Sequence, residues 1–278
     1  MKCVECGQIT LDEPIDKPLP ELAKLPIMQK GEGSNSPFTL VPASQSIALR
    51  HLLTYASGMT YDMMDPTVMA WRACHGEGTV AMLGNITGEG WKCGTSLDWA
   101  SLLVGRLNNT TLGEHAEKNI FKPLGMALAT FHMAQKPSVV ERLIHLLKNS
   151  PVLLENEAVD LLFTPQNADG SSAHQELMAR NDSTYRLFVG GSAEELKFNH
   201  GLGGFLVTDD IDNPAYYNPK ANSTLTWSGL PNLAWSVNRE KDRALKHATQ
   251  IFLWGDEKNH DLTQAFETAV WRNLDSVA

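Results

Sequence analysis

The sequence predicts an α+β chain in a single domain over 1–278. A mainly helical lobe runs from 40 to 165, and an antiparallel sheet lobe over 200–278 ends in a C-terminal helix. Three observations predict it. Apolar residues recur at helical spacing through the middle of the chain. The period shifts to short β-rich runs separated by turn clusters after His200. Helical spacing returns over 261–274, with Leu262, Phe266, Val270 and Leu274 on one face.

Residues 1–6 read as the last turn and a half of a helix, with Gly7 as the residue that ends it. So short a helix is marginal alone, so the reading expects a segment before it. An extended, Pro-rich stretch follows from Leu11 to about residue 45. Residues 44–53 have helical spacing, and Gly58 stops them. A helix over 96–107 presents Leu97, Ala100, Leu103, Val104 and Leu107. Another over 111–121 closes on Lys122-Pro-Leu-Gly125. Residues 138–162 read as one or two more helices, and 166–200 as loops. The predicted strands are Gly203-Gly-Phe-Leu-Val-Thr, Thr224-Leu-Thr-Trp, Leu233-Ala-Trp-Ser-Val and Thr249-Gln-Ile-Phe-Leu-Trp.

Composition narrows the function classes. The 278 residues are 42% hydrophobic and 20% charged, enough to bury a core. A net charge of -9 without a basic block argues against nucleic acid. No apolar run of about 18 residues is present to span a membrane. No apolar signal region follows Met1. Four cysteines without a framework pattern fit a reducing, cytoplasmic setting.

Five blocks, in order along the chain, resemble the serine β-lactamase-like hydrolases and transesterases. They are Glu5-Cys-Gly-Gln-Ile-Thr-Leu-Asp-Glu-Pro14, His51-Leu-Leu-Thr-Tyr-Ala-Ser-Gly58, Ile120-Phe-Lys-Pro-Leu-Gly-Met126, His200-Gly-Leu-Gly-Gly204 and Trp227-Ser-Gly229. The likeness is greatest to esterases and fungal polyketide acyltransferases. It implies a β-lactamase/transpeptidase-like fold, an antiparallel sheet facing a helical lobe across a cleft. It also implies acyl transfer or ester hydrolysis on a small-molecule ester or acyl thioester, with no cofactor. In that chemistry a Ser-x-x-Lys serine attacks, the lysine and a tyrosine move protons, and backbone N–H groups hold the oxyanion.

This chain departs from that pattern. The resemblance expects the Ser-x-x-Lys about ten residues before Met1, and no Ser-x-x-Lys elsewhere in the chain fits. The expected tyrosine after Trp91 and Lys92 is Cys93, and Thr95 takes the place of an asparagine. The stretch between Phe131 and Leu146 is short for the family. The resemblance further implies that N-terminal strands and the nucleophile helix are missing. A protein partner covering the incomplete sheet is one expected consequence.

The candidate residues carry plainer readings too. Cys93 stands at an active-site position, but a cysteine is usually a small hydrophobe unless a cation or helix N-terminus makes it a thiolate. Tyr61, with Asp62, either touches substrate or belongs to a capped loop. Trp227, Ser228 and Gly229 either line the pocket on an oxyanion strand or are ordinary strand residues. Ser57 and Ser228 each neighbour a glycine, but neither sits in G-x-S-x-G. Cys3-Val-Glu-Cys6 lacks a second ligand pair and reads as helix packing. No histidine spacing matches a metal motif.

Overall fold

The computed structural model describes residues 1–33, 36–76, 84–86, 90–126, 129, 153–179, 197–209, 222–251 and 255–273. The chain forms two compact units, Met1–Val139 and Val140–Ala278.

The first unit opens with α1, Lys2–Glu5, and Gly7 follows at φ +68°. Glycine takes that left-handed conformation without the steric cost a side chain incurs. The Pro-rich stretch contains more than extended chain. Pro20–Ala23 forms α2, its proline in the first turn where the missing N–H costs nothing. Ile27–Gly33 (β1) and Ser36–Val41 (β2) pair as an antiparallel hairpin that the sequence reading missed. Next comes α3, Leu49–Leu53, shorter than predicted because Ala48 is still extended at φ −109° and ψ 164°.

Met59–Tyr61 (β3) pairs with Gly84–Ile86 (β4). Between them, a 3-10 turn at Asp62–Met64 leads into α4, Pro66–Cys74. Ser96–Asn108 is α5, one residue longer than predicted. Ala100 and Leu103 are buried as expected, whereas Leu97 lies on the exposed side. Leu112–Ala116 is α6, opened by a reciprocal cap in which Thr111 and Glu114 accept each other's backbone N–H. It continues as one π-helical turn, Glu117–Phe121, before Gly125 at φ +67°.

Among the described residues, the second unit begins with α7, Asn156–Leu162, and α8, Ser172–Ala179. The second of these falls where loop was expected. The helical face predicted at Val140, Leu143, Leu146 and Leu147 lies outside the described residues. Five strands then form one antiparallel meander: β5 Phe198–Gly201, β6 Gly204–Val207, β7 Thr224–Gly229, β8 Leu233–Asn238 and β9 Arg243–His247.

The strand predicted at 249–254 is corrected at 249–251, which are not strand, while 252–254 lie outside the described residues. The turn after β8 carries Asp242 at φ 48°, and Arg243–His247 takes the ladder position beside β8. Thr249 instead donates its hydroxyl to the Pro231 carbonyl at 2.5 Å and accepts the Ile251 N–H.

The chain's last described helix is α9, Glu257–Asn273. Its predicted inner face is corrected at two positions, since Leu262 and Phe266 are exposed while Asn259 and Glu267 are buried; Val270 is half-buried, and Leu274 lies outside the described residues. Among the described residues, no helix is long and apolar enough to cross a membrane.

Candidate functional site

In the first unit, the site is built by the chain leaving α3. Ala48 has no side-chain oxygen, so the helix start is held from one side only: His51 Nδ1 accepts the Ala48 N–H at 3.0 Å. Thr54 donates its hydroxyl to the Arg50 carbonyl at 2.8 Å. Tyr55 then takes φ 56° and Gly58 φ 76°. These two left-handed residues turn the chain out of the helix and into β3.

The segment 90–95 is laced into that turn. Ser57 bridges to Gly90, Lys92 N–H donates to the Tyr55 carbonyl at 2.9 Å, and Tyr61 N–H donates to the Cys93 carbonyl at 3.3 Å. Trp91 is fully buried, its ring tilted against Tyr55 at 6.1 Å. Gly94 permits the approach, since a Cβ there would strike the Met59 carbonyl and lie 2.7 Å from the Thr60 Cα. The Ser57 and Ser96 hydroxyls are 2.7 Å apart in a buried pair. Tyr61 and Cys93, named from sequence, are thus brought together, and both are half-buried.

The electrostatics keep the aromatic hydroxyls protonated. Burial pushes the Tyr55 hydroxyl well above its ordinary value, reinforced by Cys93, Tyr61 and Asp98. Burial, Cys93 and Asp98 raise Tyr61 in the same direction. Each therefore offers an O–H donor at neutral pH and is a poor base.

Under this layer Asp62 and Arg72 form a buried ion pair at 2.6 Å. Lys92 lies 3.9 Å from Asp65, which also caps α4 by accepting the Thr67 N–H at 2.9 Å. Sequence reasoning missed α4 and the Asp62–Arg72 pair. An N-cap Asp65 followed by Pro66 was the available signal.

In the second unit, Trp227, Ser228 and Gly229 end β7. They pair across the hairpin with Trp235, Ala234 and Leu233. Trp227 lies tilted against Phe205 at 4.8 Å and edge-on to His200 at 5.7 Å between ring centroids. A Cβ on Gly229 would meet the Leu233 side chain at 3.2 Å. Gly204 accommodates Trp235, whose ring would lie 3.2 Å from an added Cβ.

His200 is fully buried and donates from Nδ1 to the Gly201 carbonyl at 2.5 Å. Burial pulls its pKa down to about 4, so the ring is neutral at pH 7.

At the hairpin tip Asn232 takes φ 52° and is buried. Its Oδ1 accepts Gly255 N–H at 2.8 Å, its Nδ2 donates to the Ile251 carbonyl at 2.9 Å, and its own carbonyl accepts from Asn259 Nδ2 at 3.2 Å. Sequence reasoning missed this role too; the turn string Leu230-Pro-Asn232 was the only cue. Among the described residues no group of three or more His, Cys, Asp or Glu could hold a metal ion.

The beta-lactamase family profile matches residues 1–164. The chain belongs to the beta-lactamase family. Among relatives in secondary metabolism, it is 26% identical to monacolin J acid methylbutanoyltransferase of Aspergillus terreus, over 98% of this chain and 78% of that protein. It is 28% identical to lovastatin esterase of Penicillium rubens, over 98% of this chain and 81% of that one. Both alignments, 327 and 331 residues long, exceed the chain's own 278 residues, so these beta-lactamase relatives carry segments that it lacks. The fold agrees. A simvastatin synthase mutant from Aspergillus terreus superposes with TM-score 0.84 at 25% identity, over 99% of this chain and 77% of that one.

Proposed function

We propose that this beta-lactamase family member handles acyl esters or acyl thioesters of the polyketide type, in the cytoplasm, and that its turnover is impaired. One position carries the impairment. The family chemistry resembled in the sequence needs a tyrosine after Trp91 and Lys92, and Cys93 stands there, its carbonyl held by Tyr61 N–H at 3.3 Å. A thiol lacks both the reach and the proton affinity of a phenol.

The acyl class is supported by the relatives, one named for transfer of a methylbutanoyl group and one named an esterase. The chain's own groups suit ester binding better than ester attack. In the first unit, Tyr61 offers a protonated hydroxyl to an ester oxygen. Hydrolase and transferase outcomes differ by water exclusion at the acyl-enzyme. Cys93 also favours a second reading, a non-catalytic family member that serves as a binding or regulatory partner.

The test is incubation of the full chain with p-nitrophenyl butyrate, followed by intact mass measurement, beside a binding titration with a polyketide ester. The expected result is no burst, no acyl adduct and saturable ester binding. Turnover that disappears in Cys93→Ala would overturn the impairment and make Cys93 the nucleophile. Absence of ester binding would overturn the acyl-ester reading and leave the partner role.

A further inference from the structure

A cavity of about 250 Å³ lies in the first unit, beside the Ala56–Ser57 turn, and neither Tyr61 nor Cys93 lines it. Its walls include Asp16, Leu22, Ile47, His51, Ala56 and Ser57. The first question is whether Asp16, His51 and Ser57 form a catalytic triad. They do not. A triad needs the histidine to donate from Nδ1 to the carboxylate and to accept from the serine at Nε2. Here His51 Nδ1 accepts the Ala48 N–H, so the neutral ring carries its proton on Nε2. Burial lowers the His51 pKa and favours that neutral form. The Asp16 carboxylate instead accepts the Ser46 hydroxyl at Oδ2, 2.6 Å away, and Ser57 is engaged with Ser96.

The same bonds leave two groups unspent at the cavity. His51 Nε2–H is a donor and Asp16 Oδ1 is an acceptor, and neither makes a hydrogen bond among the described residues. Leu22 is buried beside them, and Ile47 and Ala56 complete an apolar wall. The volume falls below the roughly 300 Å³ at which drug-sized pockets begin. A ligand must therefore be small and aliphatic at one end. Its polar end must both accept and donate. The Asp16 charge disfavours a carboxylate.

We propose that this cavity is a binding site for a small, uncharged aliphatic primary amide or alcohol, held by His51 Nε2–H and Asp16 Oδ1. It is separate from the acyl-ester reading and stands whether or not that reading holds.

The probe is isobutyramide, titrated against the full chain by saturation-transfer NMR, with isobutyrate as the charge control. Three variants locate the site. Asp16→Asn removes the charged acceptor. His51→Gln replaces the imidazole while a glutamine at this helix position still accepts the Ala48 N–H. Ala23→Leu fills the cavity from an exposed position on its wall, with little risk to folding.

Saturable binding of the amide that weakens about tenfold or more in each variant is the expected result. Absence of saturable binding overturns the proposal. So does binding that all three variants leave unchanged, and so does isobutyrate binding as tightly as the amide.

Discussion

Asp62 and Arg72 pair at 2.6 Å with both side chains almost wholly removed from solvent. The pair ties the turn after β3 to the middle of α4, directly below the Tyr61 backbone that holds Cys93. Removing one partner strands the other charge in a buried site. Asp62→Asn is expected to cost about 3–5 kcal/mol. The double replacement Asp62→Leu with Arg72→Met should lose far less, because no lone charge remains. Urea unfolding of the three proteins reads both values, and equal losses in the single and double variants would refute the account.

Gly94→Ala should be among the most damaging small substitutions in the chain. The added methyl would strike the Met59 carbonyl and Thr60 Cα, and backbone cannot swing aside as a flexible side-chain end can. A loss of about 2–3 kcal/mol or more is expected. The segment carrying Cys93 would be displaced with it. Labelling Cys93 with a thiol reagent before and after the substitution measures that displacement as a change in rate.

Asn232→Ala should cost about 3 kcal/mol, from two effects. Left-handed backbone penalises alanine by roughly 1–2 kcal/mol. The Gly255 N–H and the Ile251 carbonyl also lose their shared partner. Asn232→Gly separates the two, because glycine keeps the backbone conformation and loses only the side-chain bonds. Thermal unfolding should rank the wild type above Asn232→Gly, and Asn232→Gly above Asn232→Ala. The reverse order of the two variants would mean that backbone strain plays no part.

His200 makes stability depend on pH. Its pKa falls from 6.5 to about 4 in the folded state. Between those values the unfolded chain binds a proton that the folded chain does not, so stability rises with pH. The contribution is complete above about pH 6.5 and is lost as pH falls towards 4. Over that window the loss amounts to about 3 kcal/mol, at about 1.4 kcal/mol per pH unit. Urea unfolding at pH 7, 5.5 and 4 should show this slope, and His200→Gln should flatten it.

Where a segment's own residues decide its structure, the sequence was enough. The helix over 96–107, the Gly7 and Gly125 stops and three of the sheet strands all follow from local spacing and turn residues. Those signals act within a few residues of chain, so they survive without knowledge of the neighbours. Cys93 beside Trp91 and Lys92 was likewise legible, because a motif is a local string.

The tertiary structure alone decided which faces are inside and what each polar group meets. Leu262 and Phe266 have the spacing of a buried stripe, yet α9 turns them outward and buries Asn259, which hydrogen-bonds to Asn232. Arg243–His247 pairs with β8 because the turn at Asp242 returns the chain directly beside it, a pairing that the strand predicted from 249 onward did not include. Asp62 met Arg72 only when α4 folded back. The neutrality of His200 depends on how fully the surrounding rings exclude water. Burial and long-range pairing are properties of the assembled neighbours, and a residue's type does not name those neighbours in advance.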